Sequence, residues 1–136
     1  MAKTVAQQFG IHLSSRKAGL ICDLIRSKTV DQALTILTTL DKKGAAILLK
    51  LLKSAIANAT HNQALDVGKL YVLNALANQG KTIKRTLPRA KGSANLLRKR
   101  HCHLIITLSD DINDKPKKLN KHTIIKKNDN MEGVKK

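Results

Sequence analysis

Two stretches that read as strands, KLYVLNALAN at 69–78 and HCHLIITL at 101–108, are separated by KTIKRTLPRAKGSANLLRKR at 81–100. Eight of these twenty side chains are cationic (Lys81, Lys84, Arg85, Arg89, Lys91, Arg98, Lys99 and Arg100), and none is acidic. Pro88 and Gly92 stand in the middle, and no helical stripe runs through the segment. A structureless loop of this length inside a compact domain is uncommon unless it is functional. The economical fold is a long β-hairpin, at about 79–101, in which both strands run on past the core and turn near 88–92. Each free arm of about nine residues then projects roughly 30 Å, at about 3.3 Å per residue. Isolated two-stranded ribbons are marginal in water, and this one repels itself. It needs an anionic partner to hold it.

The remainder of the first 110 residues reads as one small body, residues 1–110 including the hairpin. KTVAQQFGIH at 3–12 places Val5, Phe9 and Ile11 on one alternating face, interrupted by Gln7, which predicts a strand. SSRKAGLICDLIRSK offers Ser14 or Ser15 as N-cap to a helix with Leu20, Ile21, Leu24 and Ile25 at helical spacing. TVDQALTILTTL opens with Thr29-x-x-Gln32, a capping-box pattern, and predicts a short second helix with Ala33, Ile36, Leu37 and Leu40 inward. The longest helix is expected from about 41 to 61. Its stripe is Ala45, Leu48, Leu49, Leu52, Ile56 and Ala59, with Lys42, Lys43, Lys50 and Lys53 largely off it. In 101–108, Cys102, Leu104, Ile106 and Leu108 face one way, and His101, His103 and Thr107 the other. Because 69–78 is apolar on both faces, it is expected in the middle of a small sheet.

Only Phe9 and Tyr71 are aromatic and there is no Trp, so the core must be aliphatic. Cys22 and Cys102 lie far apart with no C-x-x-C companion, and read as small reduced hydrophobic residues of a cytosolic chain. His101 and His103 share one face and Cys102 takes the other, so the three do not converge on a metal. No cofactor loop or catalytic constellation is present: Ser14 and Ser15 read as caps, and no glycine-rich phosphate loop occurs. No apolar run approaches the roughly 20 residues that span a bilayer. ILLKLLKSAIANA at 47–59 has an amphipathic look, and burial of its stripe against the other helices accounts for it more simply than a membrane surface. From residue 111 the composition turns polar, with eight lysines against four acids (Asp111, Asp114, Asp129 and Glu132) through 136. This tail reads as basic and disordered.

A net charge of +17 and a pI near 10.3 call for a polyanionic partner. Residues 81–110 hold eight cations and one acid, against ten and four in residues 1–80. Four of the six arginines (Arg85, Arg89, Arg98 and Arg100) fall in the hairpin stretch. A guanidinium grips phosphate bidentately, where lysine acts as a point charge. The near absence of aromatics argues against a base-stacking sheet or barrel, and no zinc-finger spacing or helix-turn-helix stands out. What remains is phosphate-dominated recognition of folded RNA. The alternative is an architectural DNA-binding protein, with Pro88 as the wedge at an arm tip.

Lys84, then Arg89-Ala90-x-Gly92-Ser93 and, nine residues on, His103-Leu104-x-Ile106-x-Leu108, resemble the signature of the bacterial large-subunit ribosomal protein twenty-two family. SSRKAGLICDLIR at 14–26 and LLKSAIANATHN at 51–62 are similar to that family's two helical landmarks, so the resemblance runs over roughly residues 3–110. It implies an α+β fold: a three-stranded antiparallel sheet packed on three helices, with a long protruding β-hairpin. It implies a non-enzymatic structural constituent of the large ribosomal subunit, in the cytoplasm. Such a protein binds 23S rRNA, aids early assembly, and lines the nascent-peptide exit tunnel near its constriction with its hairpin tip. The partners implied are 23S rRNA, neighbouring large-subunit proteins and the nascent polypeptide, with macrolides close by and no cofactor. By matching position, Lys84, Arg85, Pro88, Arg89 and Ala90 would lie at or near the tip, and Lys91, Arg98, Lys99 and Arg100 would grip rRNA along the returning arm. Lys81 is counted with them as an RNA contact, and His103 either donates to RNA or sits at the sheet margin. Arg16, Lys17, Lys53, Asn58, His61 and Asn62 would be body contacts. Two departures stand out: the tail exceeds the compact family pattern, and QQFGIHLSS lacks the basic, proline-bearing lead-in before Arg16 and Lys17.

Overall fold

The structure, a computed structural model, describes residues 3–110; the expectation of a disordered basic tail falls outside them. Strand β1 (Lys3–Ile11) is followed by helices α1 (Ser15–Ile25), α2 (Val30–Thr39) and α3 (Lys43–Gln63). A short 3-10 turn (Val67–Lys69) leads to the long strands β2 (Tyr71–Pro88) and β3 (Ala94–Ser109), joined by the turn Ala90–Gly92. The fold is α+β: one antiparallel three-stranded sheet, in the order β1-β3-β2, with three helices. Helix α1 packs mainly on β2 and α3 on β1, while α2 lies against α3.

Strand β3 is the centre of the sheet, so the expectation that 69–78 would be central is corrected. Its Cys102, Leu104, Ile106 and Leu108 are fully buried, as their alternation requires. Strand β2 lies at an edge, and its apolar character on both faces has another use. The loop after α1 covers that edge: Val72 N donates to Lys28 O (2.8 Å) and Ser27 N to Val72 O (2.9 Å). Arg26 adds a clip, its Nη2 donating to Ala75 O at 2.7 Å and its Nη1 pairing with Asp23 at 2.9 Å. An edge whose backbone groups are already paired is closed to another chain.

The phase of β1 is also corrected. Val5 and Phe9 are exposed, Phe9 by 65%, whereas Thr4 and Ala6 face the core. The ladder slips between Gln8 and Ile11, because Gln8 pairs with Leu104 and Ile11 with Cys102. Gly10 absorbs the extra residue at φ +69°, a left-handed conformation that glycine adopts without a Cβ clash. After the bulge Ile11 turns inward. Strict alternation counted across such a slip assigns the residues before it to the wrong side.

Helix α1 buries Ile21 and Ile25 as expected, but with Ala18 and Cys22 in place of Leu20 and Leu24. Ala18, Ile21, Cys22 and Ile25 are buried, while Leu20 and Leu24 are exposed. Both stripes are apolar, and the one carrying the small Ala18 and Cys22 lets the helix seat closely on the sheet. Ser14 holds the N-cap position with no side-chain bond to the helix. Thr29 caps α2 as its pattern predicts, its Oγ1 accepting from Gln32 N at 3.4 Å. Helix α3 begins and ends two residues later than expected, and Leu51 and Ala55 join Ala45, Leu48, Leu52 and Ala59 in the core. Leu49 and Ile56 pack at its margin.

Cys22 and Cys102 are both buried free thiols. Burial pushes the Cys22 thiol up from 9.0 to about 11, against the smaller opposing pull of the Arg26 charge. A raised folded-state value means that the neutral thiol's contribution to stability is intact below pH 9.0 and is lost as pH rises through about 11. The urea midpoint should therefore decline across that window, and decline less steeply in a Cys22→Ala variant. Identical slopes in the two proteins would contradict the assignment.

Candidate nucleic-acid interface

Strands β2 and β3 stay paired from Tyr71 opposite Ser109 to Pro88 opposite Ala94, but only the first half of that ladder belongs to the core. From Lys84 through Arg100 every residue is exposed. The seven outermost rows, from Thr82 opposite Arg100 to Pro88 opposite Ala94, span roughly 20 Å at about 3.3 Å per residue. Where β3 leaves the body, its core-facing alternation passes from Cys102 to Arg100 and Arg98. Guanidinium groups on the face that would otherwise be buried exclude this segment from the core.

The turn is tight and strained. Arg89 N donates to Ser93 O at 2.8 Å, and Lys91 (φ 58°) and Gly92 (φ 69°) are successive left-handed residues. Glycine takes that conformation freely, and a lysine does so at some cost. The charge thus begins at the turn itself, with Arg89 and Lys91, and continues down both arms.

The base of the hairpin is pinned by histidines. His101 Nδ1 lies 3.0 Å from Lys81 O, and the His12 ring covers His101 at a centroid distance of 4.4 Å. Gly10 N donates to His103 Nδ1 at 3.0 Å, and Phe9 meets the same ring edge-on at 5.2 Å. A Cβ on Gly80 would come within 3.1 Å of His103 Cε1 and Nε2. His103 is thereby packed into the join between β1 and the hairpin, with one ring nitrogen already engaged.

At this join β2 carries an extra residue. Gln79 pairs with Cys102 but Thr82 pairs with Arg100, so three steps on β2 match two on β3. The bulge reverses the side to which every later β2 residue points. One face of the ribbon then bears Thr82 and Arg100, Lys84 and Arg98, Thr86 and Leu96. The other bears Ile83 and Lys99, Arg85 and Leu97, Leu87 and Asn95. The sequence has no acid between Asp66 and Asp110 to offset these charges. Lys84 directly opposite Arg98 sets two cations with Cβ atoms about 5 Å apart, a repulsion of up to about 1 kcal/mol even in water.

Arg16 and Lys17 are exposed on the first turn of α1. On α3, Lys53, His61 and Asn62 are exposed and Asn58 is half-buried. Asn58, His61 and Asn62 fall on neighbouring turns of one side, whereas Lys53 points about 180° away from Asn62 at 100° per residue. The candidate body contacts on α3 do not share one face. Reading for cations alone passes over the aliphatic side chains near the turn: Leu87, Leu96 and Leu97 are 40–52% exposed. Leu87 and Leu97 share one face of the ribbon and Leu96 lies on the other, so no single alternating stripe marks them.

A small helix-backed sheet with an acid-free, self-repelling hairpin defines a class: basic α+β proteins with a projecting cationic ribbon. The profile of the family described as ribosomal protein L22p/L17e matches residues 6–109, and the chain belongs to that family. It is 60% identical over 114 residues to the large ribosomal subunit protein uL22 of Malacoplasma penetrans (strain HF-2), covering 84% of each chain. With the protein of that name from Mycoplasmoides gallisepticum it shares 54% identity over 111 residues, 82% of this chain and 77% of the relative. With that of Clostridioides difficile (strain 630) the figures are 47% over 100 residues, 74% and 90%. The chain is a ribosomal protein and not an enzyme.

The split between pinned base and charged arms gives a measurable contrast. In the free protein, amides of residues 82–99 should exchange much faster than those of residues 102–108. Protection of the arms comparable with that of the core strand would contradict the self-repelling ribbon.

Proposed function

We propose that this protein is a structural constituent of the large ribosomal subunit, working in the cytoplasm, and that its hairpin is the principal grip on 23S rRNA. The observation that carries this reading is the exposed ribbon itself: eight cations, no acid, and a like-charge pair that only an anion relieves. Membership of a ribosomal protein family gives that anion its identity. Lys81, Lys84, Arg85, Arg89, Lys91, Arg98, Lys99 and Arg100 contact phosphate along both arms, and Arg16, Lys17, Lys53, Asn58, His61 and Asn62 extend the contact onto the body. His103 contributes chiefly by holding the hairpin base, through its bond with Gly10. Residues 1–110 act as the working unit.

Arginine forks fix the register of the ribbon against phosphate, while the duplex and loop shape of the RNA supplies selectivity. A ribbon ordered by RNA ties together the strands it passes between, and so aids early assembly of the subunit. Its turn, with Pro88, Arg89 and Ala90 foremost and Lys84 and Arg85 behind on the arm, lines the nascent-peptide exit tunnel near the constriction. Neighbouring subunit proteins and the nascent chain are then its protein partners, and macrolides bind nearby.

Sedimentation of cell lysate on sucrose gradients at high and low magnesium tests the placement: the protein should co-migrate with the large subunit, and co-migration with chromosomal DNA would overturn it. Arg85→Ala and Arg89→Ala should leave the thermal stability of the free protein unchanged while impairing subunit assembly; a lowered melting temperature would assign them to the fold instead. Affinity for a 23S rRNA transcript should fall steeply with salt, with a slope of log K on log salt of about −5 or steeper if the eight hairpin cations each neutralise phosphate.

A further inference from the structure

The hairpin ladder has one row in which cation stands directly opposite cation, Lys84 and Arg98. In every other outer row a cation faces Thr82, Ile83 or Leu97, or no cation is present. We propose that Lys84 and Arg98 form a cross-strand clamp that holds a single RNA phosphodiester between them. This rests on the RNA-binding reading above and deepens it.

Directly opposed residues of an antiparallel pair project from the same face, with Cβ atoms about 5 Å apart. Both long side chains therefore rise over one spot on the ribbon, the ammonium offering a mobile point charge and the guanidinium a planar fork. One phosphodiester at that spot accepts from both donors, and its charge cancels the repulsion that the empty pair carries. On this face Thr82 and Thr86 flank Lys84 with hydroxyls, and Arg100, opposite Thr82, stands one row inward on the diagonal from Lys84, placed for the next phosphate. On the opposite face the cations are differently arranged: Lys99 stands beside Ile83, and Arg85 beside Leu97. Those two lie on a diagonal, a spacing suited to separate phosphates. The clamp exists because of the bulge at Gly80 and Lys81. Unbulged pairing, continued from Gln79 opposite Cys102, would set Ile83 against Arg98.

Two groups sharing one phosphate are distinguishable from two groups holding one each. Full-length protein and a 23S rRNA transcript would be used, with circular dichroism checking that each variant retains its fold. Each phosphate neutralised on single-stranded RNA contributes about 0.7 to the salt slope. With a clamp, Lys84→Gln and Arg98→Gln each leave the phosphate partly neutralised and lower the slope by well under about 0.7, and the double variant lowers it by about 0.7 in total. Arg85→Gln and Lys99→Gln, the diagonal pair, lower it by about 0.7 each and about 1.4 together. Loss of about 1.4 in the Lys84 and Arg98 double variant, additive over the singles, would overturn the clamp while leaving RNA binding intact. Salt-independent or absent binding by the unaltered protein would instead overturn the RNA reading, and the clamp with it.

Discussion

Strand β3 is asked to satisfy two environments along one uninterrupted ladder. From Cys102 to Leu108 its inward side chains are sealed beneath the helices, and from Ala94 to Arg100 they stand in solvent. Its backbone pairs on both sides in the body, with β1 and β2, and on one side only in the hairpin. Everything else follows from holding that strand. The helices cover its buried half, β1 fixes its flank, and β2 accompanies it outward so that its donors and acceptors are not left bare. A buried aliphatic side chain such as Leu104 or Ile106 stabilises by about 1.5–3 kcal/mol, which the outer half lacks altogether. The body anchors a ribbon that has little to hold itself.

Charge and packing are separated in space with some care. Of the two arginines outside the hairpin, Arg26 is committed to the fold, closing the β2 edge through Ala75 O and pairing with Asp23. Arg16 remains exposed. The histidines of the hairpin base are likewise engaged with backbone, at Lys81 O and Gly10 N. Polar side chains near the core thus complete backbone bonds, while the cations beyond it are left without acids.

Much of this architecture was legible in the sequence, and the reasons for the exceptions are specific. The hairpin was visible because twenty residues with eight cations, no acid and no helical stripe lie between two strands, too long for an idle loop. The short second helix was visible in Thr29 and Gln32. The inward stripe of α1 was visible only in part, because Leu20 and Leu24 are as apolar as Ile21 and Ile25, and the choice falls on the small Ala18 and Cys22, a matter of close approach that hydrophobic spacing does not report. The phase of β1 failed at Gly10, since a bulge leaves no mark on composition other than a glycine. The strand order failed because the edge of β2 is shielded by backbone contacts from residues 27–30, which its own side chains do not encode. For the interface, the identities of the cations could be read directly, but their sorting into two faces could not: that depends on one surplus residue between Gln79 and Thr82.

That surplus residue makes the two ends of the ribbon unequal in their tolerance of length variation. Residues gained in matched pairs around the turn would lengthen the reach and leave each side chain on its own side. Pairing of the same chain without the bulge at Gly80 and Lys81 would leave the reach almost unaltered and slip one arm by a row, bringing Ile83 to where Lys84 now stands. Descendants of this chain are therefore free to vary how far the finger extends, and constrained in the short neck that decides which way it faces.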